Sequence, residues 1–141
     1  KNYFVHRDPN KTGERKVMNF GHTLGHAFES LSLEKNDPLL HGEAVAAGMI
    51  CELYLSYIIE GFPERTLEKV VSYISGMYSL TKLTDEEQER LFYFMDYDKK
   101  NQGEQINFTL LRGVEKPLID RFAERNDIIE SFNYYNSMVQ G

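Results

Sequence analysis

The stretch "AVAAGMICELYLSYII", Ala44 to Ile59, constrains this chain more than any other. Its apolar side chains run round every face of a helix instead of along one stripe. In water such a helix is stable only when other elements surround it. The stretch therefore predicts a central helix from about His41 to about Ile59, with the rest of the chain packed around it. Gly48 inside it lowers helix propensity by about 1 kcal/mol against alanine, and in return permits a second helix to approach closely. No uninterrupted apolar run reaches the roughly 18 residues of a membrane span, so the reading is a protein core with no membrane partner.

The flanking segments supply the packing partners. Phe20, Leu24, Ala27, Phe28 and Leu31 have the spacing of a buried stripe and predict a helix from about Asn19 to about Leu33. "EKNDP" ends it, with Pro38 disfavouring helix at Asp37. Beyond Gly61-Phe62-Pro63, a third helix opens at Pro63 or Glu64, with Leu67, Val70, Val71, Ile74 and Met77 as its stripe. Thr84 followed three residues later by Glu87 predicts a capping box. The helix behind it carries Leu91, Phe92, Phe94 and Met95. "QINFTLL" alternates in strand fashion, with Ile106, Phe108 and Leu110 on one face, and "KPLIDRF" is its hairpin partner across "RGVE". A last helix starts near Asp127. The fold class is mainly α, one helical domain over 1–141 with one small β-hairpin.

Sixteen basic against 22 acidic residues give a net charge of −6, so the footprint of a nucleic-acid binder is missing. A local basic cluster for a phosphate remains compatible with that balance. Cys51 is the single cysteine, so no intrachain disulfide forms. Its place in the apolar run predicts a buried, inert thiol. The first residues have no apolar core of a signal peptide, and a cytoplasmic location is expected.

The chemistry concentrates in "GHTLGHA", Gly21 to Ala27. His22 and His26 stand at i and i+4 on one helix face, a spacing that can chelate a metal such as Zn²⁺. His41 opens the central helix and reaches the pair if the first two helices fold back on each other. Glycines flank all three histidines, at Gly21, Gly25 and Gly42. They serve close backbone approach, either to a ligand or to a neighbouring helix.

"RKVMNFGHTLGHAFES" (Arg15 to Ser30), "LLHGEAVAAGM" (Leu39 to Met49), and "DKKNQG" followed by "INFTLL" together resemble the C-terminal domain of 3-dehydroquinate synthase, in the same order and spacing. The resemblance implies an enzyme that converts 3-deoxy-arabino-heptulosonate 7-phosphate to 3-dehydroquinate and phosphate, a step of the shikimate pathway. It implies a divalent metal (Zn²⁺ or Co²⁺) and NAD⁺, the latter held by an N-terminal α/β domain that this chain, with no Gly-rich βα turn, lacks. A homodimer is the usual assembly of that family.

By the same resemblance, His22 and His41 are metal ligands, the third ligand being a glutamate upstream of this chain. That differs from the spacing argument, which pairs His22 with His26. His26 matches a residue that moves protons near the substrate phosphate. Arg15 and Asn19 match substrate-binding residues, as does Lys1, and one of Lys99 and Lys100 matches a lysine that reaches the phosphate. Glu43 either supports the metal ligands or is an acidic residue of a helix's first turn. Lys11 departs from the family, which has a proton-accepting glutamate four residues before the arginine; either the alignment slips in this loop and Glu14 is the substitute, or activity is altered. On this reading the isolated chain is inactive. The competing readings are a metal-dependent polyol or alcohol dehydrogenase of the same superfamily and a non-catalytic helical interaction domain.

Overall fold

A computed structural model describes residues 20–36, 41–96, 105–113 and 115–139. The order is α1 (His22–Glu34), α2 (His41–Glu60), α3 (Glu64–Met77), α4 (Asp85–Asp96), β1 (Gln105–Gly113), β2 (Lys116–Glu124) and α5 (Arg125–Met138). This is the mainly α architecture with one hairpin that the sequence pattern predicts.

α2 is the axis of the core. It touches α1, α3, α5 and β1, and buries Ala44, Ala46, Ala47, Ile50, Cys51, Leu53 and Leu55. By length and mean hydropathy (1.3 over its best 18-residue window) it could cross a membrane, which qualifies the sequence reading that no such segment exists. Glu52 breaks the apolar run without lowering the helix below that threshold, and 56% of the window is buried by the rest of the protein.

α1 starts three residues later than its stripe predicts. Gly21 takes φ +84, a left-handed conformation that glycine adopts freely and that sets the turn into the helix. α3 buries Leu67, Val71 and Ile74, whereas Met77, placed on the same stripe by spacing, is 57% exposed at the helix end. α4 has the predicted capping box. The Thr84 N–H donates to Glu87 Oε1 (2.9 Å), and the Glu87 N–H donates to Thr84 Oγ1 (3.1 Å).

β1 and β2 pair antiparallel, from Gln105 opposite Glu124 to Gly113 opposite Lys116. Ile106, Phe108 and Leu110 face the core as predicted, but Thr109 is buried too. The cause is a bulge. Between the pairs Phe108–Arg121 and Leu110–Leu118, β2 has two residues against one, and Asp120 there takes φ 53. Phe28, Phe92, Phe132 and Tyr135 fill the core on the side of α4 and α5.

Candidate metal and substrate site

α1 and α2 run antiparallel at backbone-contact distance. A Cβ on Gly48 would stand 2.5 Å from Gly21 O, 2.5 Å from Gly25 N and 2.9 Å from Gly25 Cα. One on Gly25 would meet Val45 Cα at 3.4 Å. The glycines beside the first two histidines thus serve helix packing. The face of α1 about a quarter turn round from their seam carries the chemistry. His22, His26 and Glu29 follow one another at i, i+4 and i+7 along it.

The His22 and His26 rings meet edge to face with centroids 5.6 Å apart. His22 is half-buried and His26 exposed. His22 Nδ1 is buried and has no hydrogen-bond partner among the described residues. An imidazole nitrogen out of water with nothing to bond is costly, and a metal ion or substrate oxygen would satisfy it. His41, at the first position of α2, lies with Nδ1 3.5 Å from Glu29 Oε1. The fold-back of α2 therefore brings His41 to the histidine-bearing helix, beside Glu29 and on the same face of α2 as Val45 and Gly48. Among the described residues no three His, Cys, Asp or Glu side chains gather closely enough to enclose a metal. Glu43 is half-buried in the first turn of α2. Lys1, Lys11, Glu14, Arg15, Asn19, Lys99 and Lys100 lie outside the described residues.

One residue of this region escapes sequence reasoning. Glu52 is fully buried on α2, and its carboxylate accepts the Gly21 N–H at Oε1 (2.8 Å) and the Leu24 N–H at Oε2 (2.9 Å). These are amides of the first turn of α1, which has no side-chain cap of its own and no acidic residue there. A carboxyl group at that end satisfies otherwise unpaired donors. Burial pushes the Glu52 carboxyl up to about 8, and the two backbone hydrogen bonds pull against that shift. The Ser56 hydroxyl donates to Glu52 O (2.8 Å) and accepts from Leu111 N–H (2.9 Å), so the same turn of α2 also grips β1. Burial, and then the neighbouring Glu52, raise the Cys51 thiol far above its ordinary range, which agrees with an inert cysteine.

Comparison with known proteins fits this helical frame. The family model described as 3-dehydroquinate synthase C-terminal matches residues 1–101. The chain is 47% identical over 135 residues to a 3-dehydroquinate synthase of Parabacteroides distasonis, covering 96% of this chain and 38% of that protein. It is 34% identical over 131 residues to one of Clostridium tetani, covering 93% of this chain and 34% of the relative. It thus spans under two-fifths of the length of these relatives. Among solved structures, 2-deoxy-scyllo-inosose synthase complexed with carbaglucose-6-phosphate, NAD⁺ and Co²⁺ shares the fold. Its TM-score is 0.66 at 23% identity, over 82% of this chain and 34% of that one. With most of its length matched by the family model and by these relatives, the chain belongs to the 3-dehydroquinate synthase family.

Proposed function

We propose that this chain is the metal- and substrate-binding part of an enzyme that turns 3-deoxy-arabino-heptulosonate 7-phosphate into 3-dehydroquinate and phosphate. The observation that carries the proposal is the outward face of α1. It holds His22 with a buried, unpartnered ring nitrogen and His26 one turn on, and α2 brings His41 alongside. Membership of the family supports it.

His22 and His41 would hold a divalent cation, Zn²⁺ or Co²⁺, completed by a carboxylate from an upstream α/β domain that also binds NAD⁺. Imidazole nitrogens suit either ion. When bound, the cation acts as a Lewis acid on substrate hydroxyls, which eases loss of hydride to NAD⁺. His26 lies one helical turn from His22 and takes or returns a proton at the phosphate end of the substrate. Arg15 and Asn19 bind the substrate, a guanidinium giving paired hydrogen bonds to a carboxylate or phosphate and an amide adding direction. Lys1 and one of Lys99 and Lys100 add cationic contacts that favour phosphate departure. The fold-sharing synthase, crystallised with a sugar-phosphate analogue, NAD⁺ and Co²⁺, is in keeping with this ligand set. The assembly is a homodimer in the cytoplasm.

The test joins this chain to the N-terminal part of the Parabacteroides relative. The fusion should turn over the heptulosonate phosphate with NAD⁺ and Zn²⁺, and the 141-residue chain alone should not. His22→Ala should remove both zinc and turnover from the fusion, while His26→Ala should keep the zinc and lose turnover. Turnover by the chain alone, or a His22→Ala protein with full zinc content, overturns the reading.

A further inference from the structure

We propose that Glu52 is a positioning residue for His22, an inference that rests on the metal-binding reading of His22 given above. The carboxylate holds two amides of α1, and these amides bracket His22 in sequence: Gly21 N–H on one side and Leu24 N–H on the other. Each oxygen takes one donor, so the carboxylate plane fixes rotation of the first turn about the helix axis as well as its height against α2. The imidazole is carried on that turn, and its direction follows from it.

Nothing else on the described chain does this work. Gly21 has no side chain to cap with, and its φ of +84 leaves the entry into α1 unrestrained by a Cβ. No side chain caps α1 locally. The nearest second tether is Thr23 Oγ1, at 3.5 Å from Asn107 O, a long contact. Glu52 itself cannot shift. It is 0% exposed on a helix whose Gly48 is in backbone contact with Gly21 and Gly25, and Ser56 locks its own turn to β1. A buried carboxylate is destabilising for an apolar helix unless its hydrogen bonds return something, and here both go to the turn that carries the ligand.

The fusion with the N-terminal part of the Parabacteroides relative provides the test. Zinc is titrated while nitrogen NMR follows the imidazoles of His22 and His41, and amide exchange is read at Gly21 and Leu24. Glu52→Gln keeps one good acceptor and should weaken zinc binding about threefold. Glu52→Leu keeps the volume and no acceptor, and Glu52→Asp keeps the carboxyl group but withdraws it by one methylene. Both should weaken zinc binding at least tenfold, the range known for groups that orient metal ligands. The Leu24 amide should exchange faster in step, and the signals of Phe92 and Phe132 should stay in place. If the leucine variant does not fold, the aspartate variant decides. Zinc affinity unchanged in a folded Asp or Leu variant, with His22→Ala still abolishing binding, overturns the positioning role alone. Binding that is absent in the wild-type fusion, or that survives His22→Ala, overturns the metal reading and this inference with it.

Discussion

The core around α2 is built by two opposite means. Toward α1 the contact is backbone on backbone, a seam of Gly21, Gly25 and Gly48 with one carboxylate set into it. Elsewhere, the core that α4 and α5 close against α1 and α2 is made of large rings. Phe92 meets Phe132 edge to face at 5.5 Å, Phe28 meets Tyr135 at 5.5 Å, and Tyr54 stacks on Tyr134 at 4.6 Å. Rings bury much area and tolerate small shifts; a backbone seam buries little and tolerates none. The side that needs atomic placement, beneath the histidine face, uses the seam. The side that needs only cohesion uses the rings.

The contrast breaks first at Phe132, which is fully buried. Phe132→Ala should cost about 4 kcal/mol in denaturant unfolding, the range for a phenylalanine removed from a core. At a temperature where the variant is still folded, its zinc affinity should match wild type. A loss of zinc binding equal to that of a seam variant would show that the two sides are not separate.

Next in size is Gly48→Ala. Its Cβ would lie 2.5 Å from two backbone atoms of the facing helix, so no side chain can turn away to relieve it. Overpacking of this kind should cost about 3 kcal/mol. Here zinc affinity should fall as well, because relief requires α1 to move with His22. A stability loss smaller than about 1 kcal/mol would mean the helices separate easily, against the reading of a rigid seam.

Third is a pH effect confined to the seam. The folded Glu52 carboxyl lies at about 8 against an ordinary 4.5. The folded state therefore holds this proton more tightly than the unfolded chain does. The stabilisation from that proton is complete below pH 4.5 and is lost as pH rises through 8. Measured as Tm from pH about 5 to about 9, the wild type should lose ground relative to Glu52→Gln, which has no proton to lose in that window. A difference that is flat with pH, or that favours the wild type as pH rises, would place the carboxyl in its ordinary range.

These effects divide along the line between what local sequence shows and what it does not. α2 follows from sixteen residues that are apolar on almost every face, and the Thr84–Glu87 box from a spacing of three. The hairpin follows from alternation on both strands. His22 and His26 on one face follow from a spacing of four, although their roles rest on family resemblance. Glu52 was not legible, because its partners are 31 and 28 residues away and no periodicity rule reaches so far. Two signals pointed to it. One is a lone carboxylate inside an apolar helix; the other is a helix that begins after a glycine, with neither a capping side chain nor an acidic first turn. The start of α1 was misplaced for the same reason: the stripe includes Phe20, but the backbone turns at Gly21. Alternation along β1 sets Thr109 opposite Ile106, Phe108 and Leu110 and cannot foresee the bulge that buries it.

The smallest effect compares the two caps directly. Thr84 and Glu87 cap α4 within one turn, on the surface, while Glu52 caps α1 from another helix, in the core. Removing the local cap by Thr84→Ala leaves an N–H that water can reach, so the cost should be the usual cap value of about 1 kcal/mol. Removing the remote cap by Glu52→Leu leaves two buried N–H groups without acceptors, each at about 1–3 kcal/mol, partly offset by losing a buried carboxyl. Thr84→Ala should therefore lower Tm slightly, leave zinc affinity unchanged, and speed amide exchange at Glu87 alone among the two capped turns. Lys35 of the segment after α1 also pairs with Glu87, so a change at Thr84 has one route to α1, through its C-terminal end. If exchange at Leu24 quickened in Thr84→Ala, that route would be coupling the two ends of α1. The seam would then be less independent than its geometry implies.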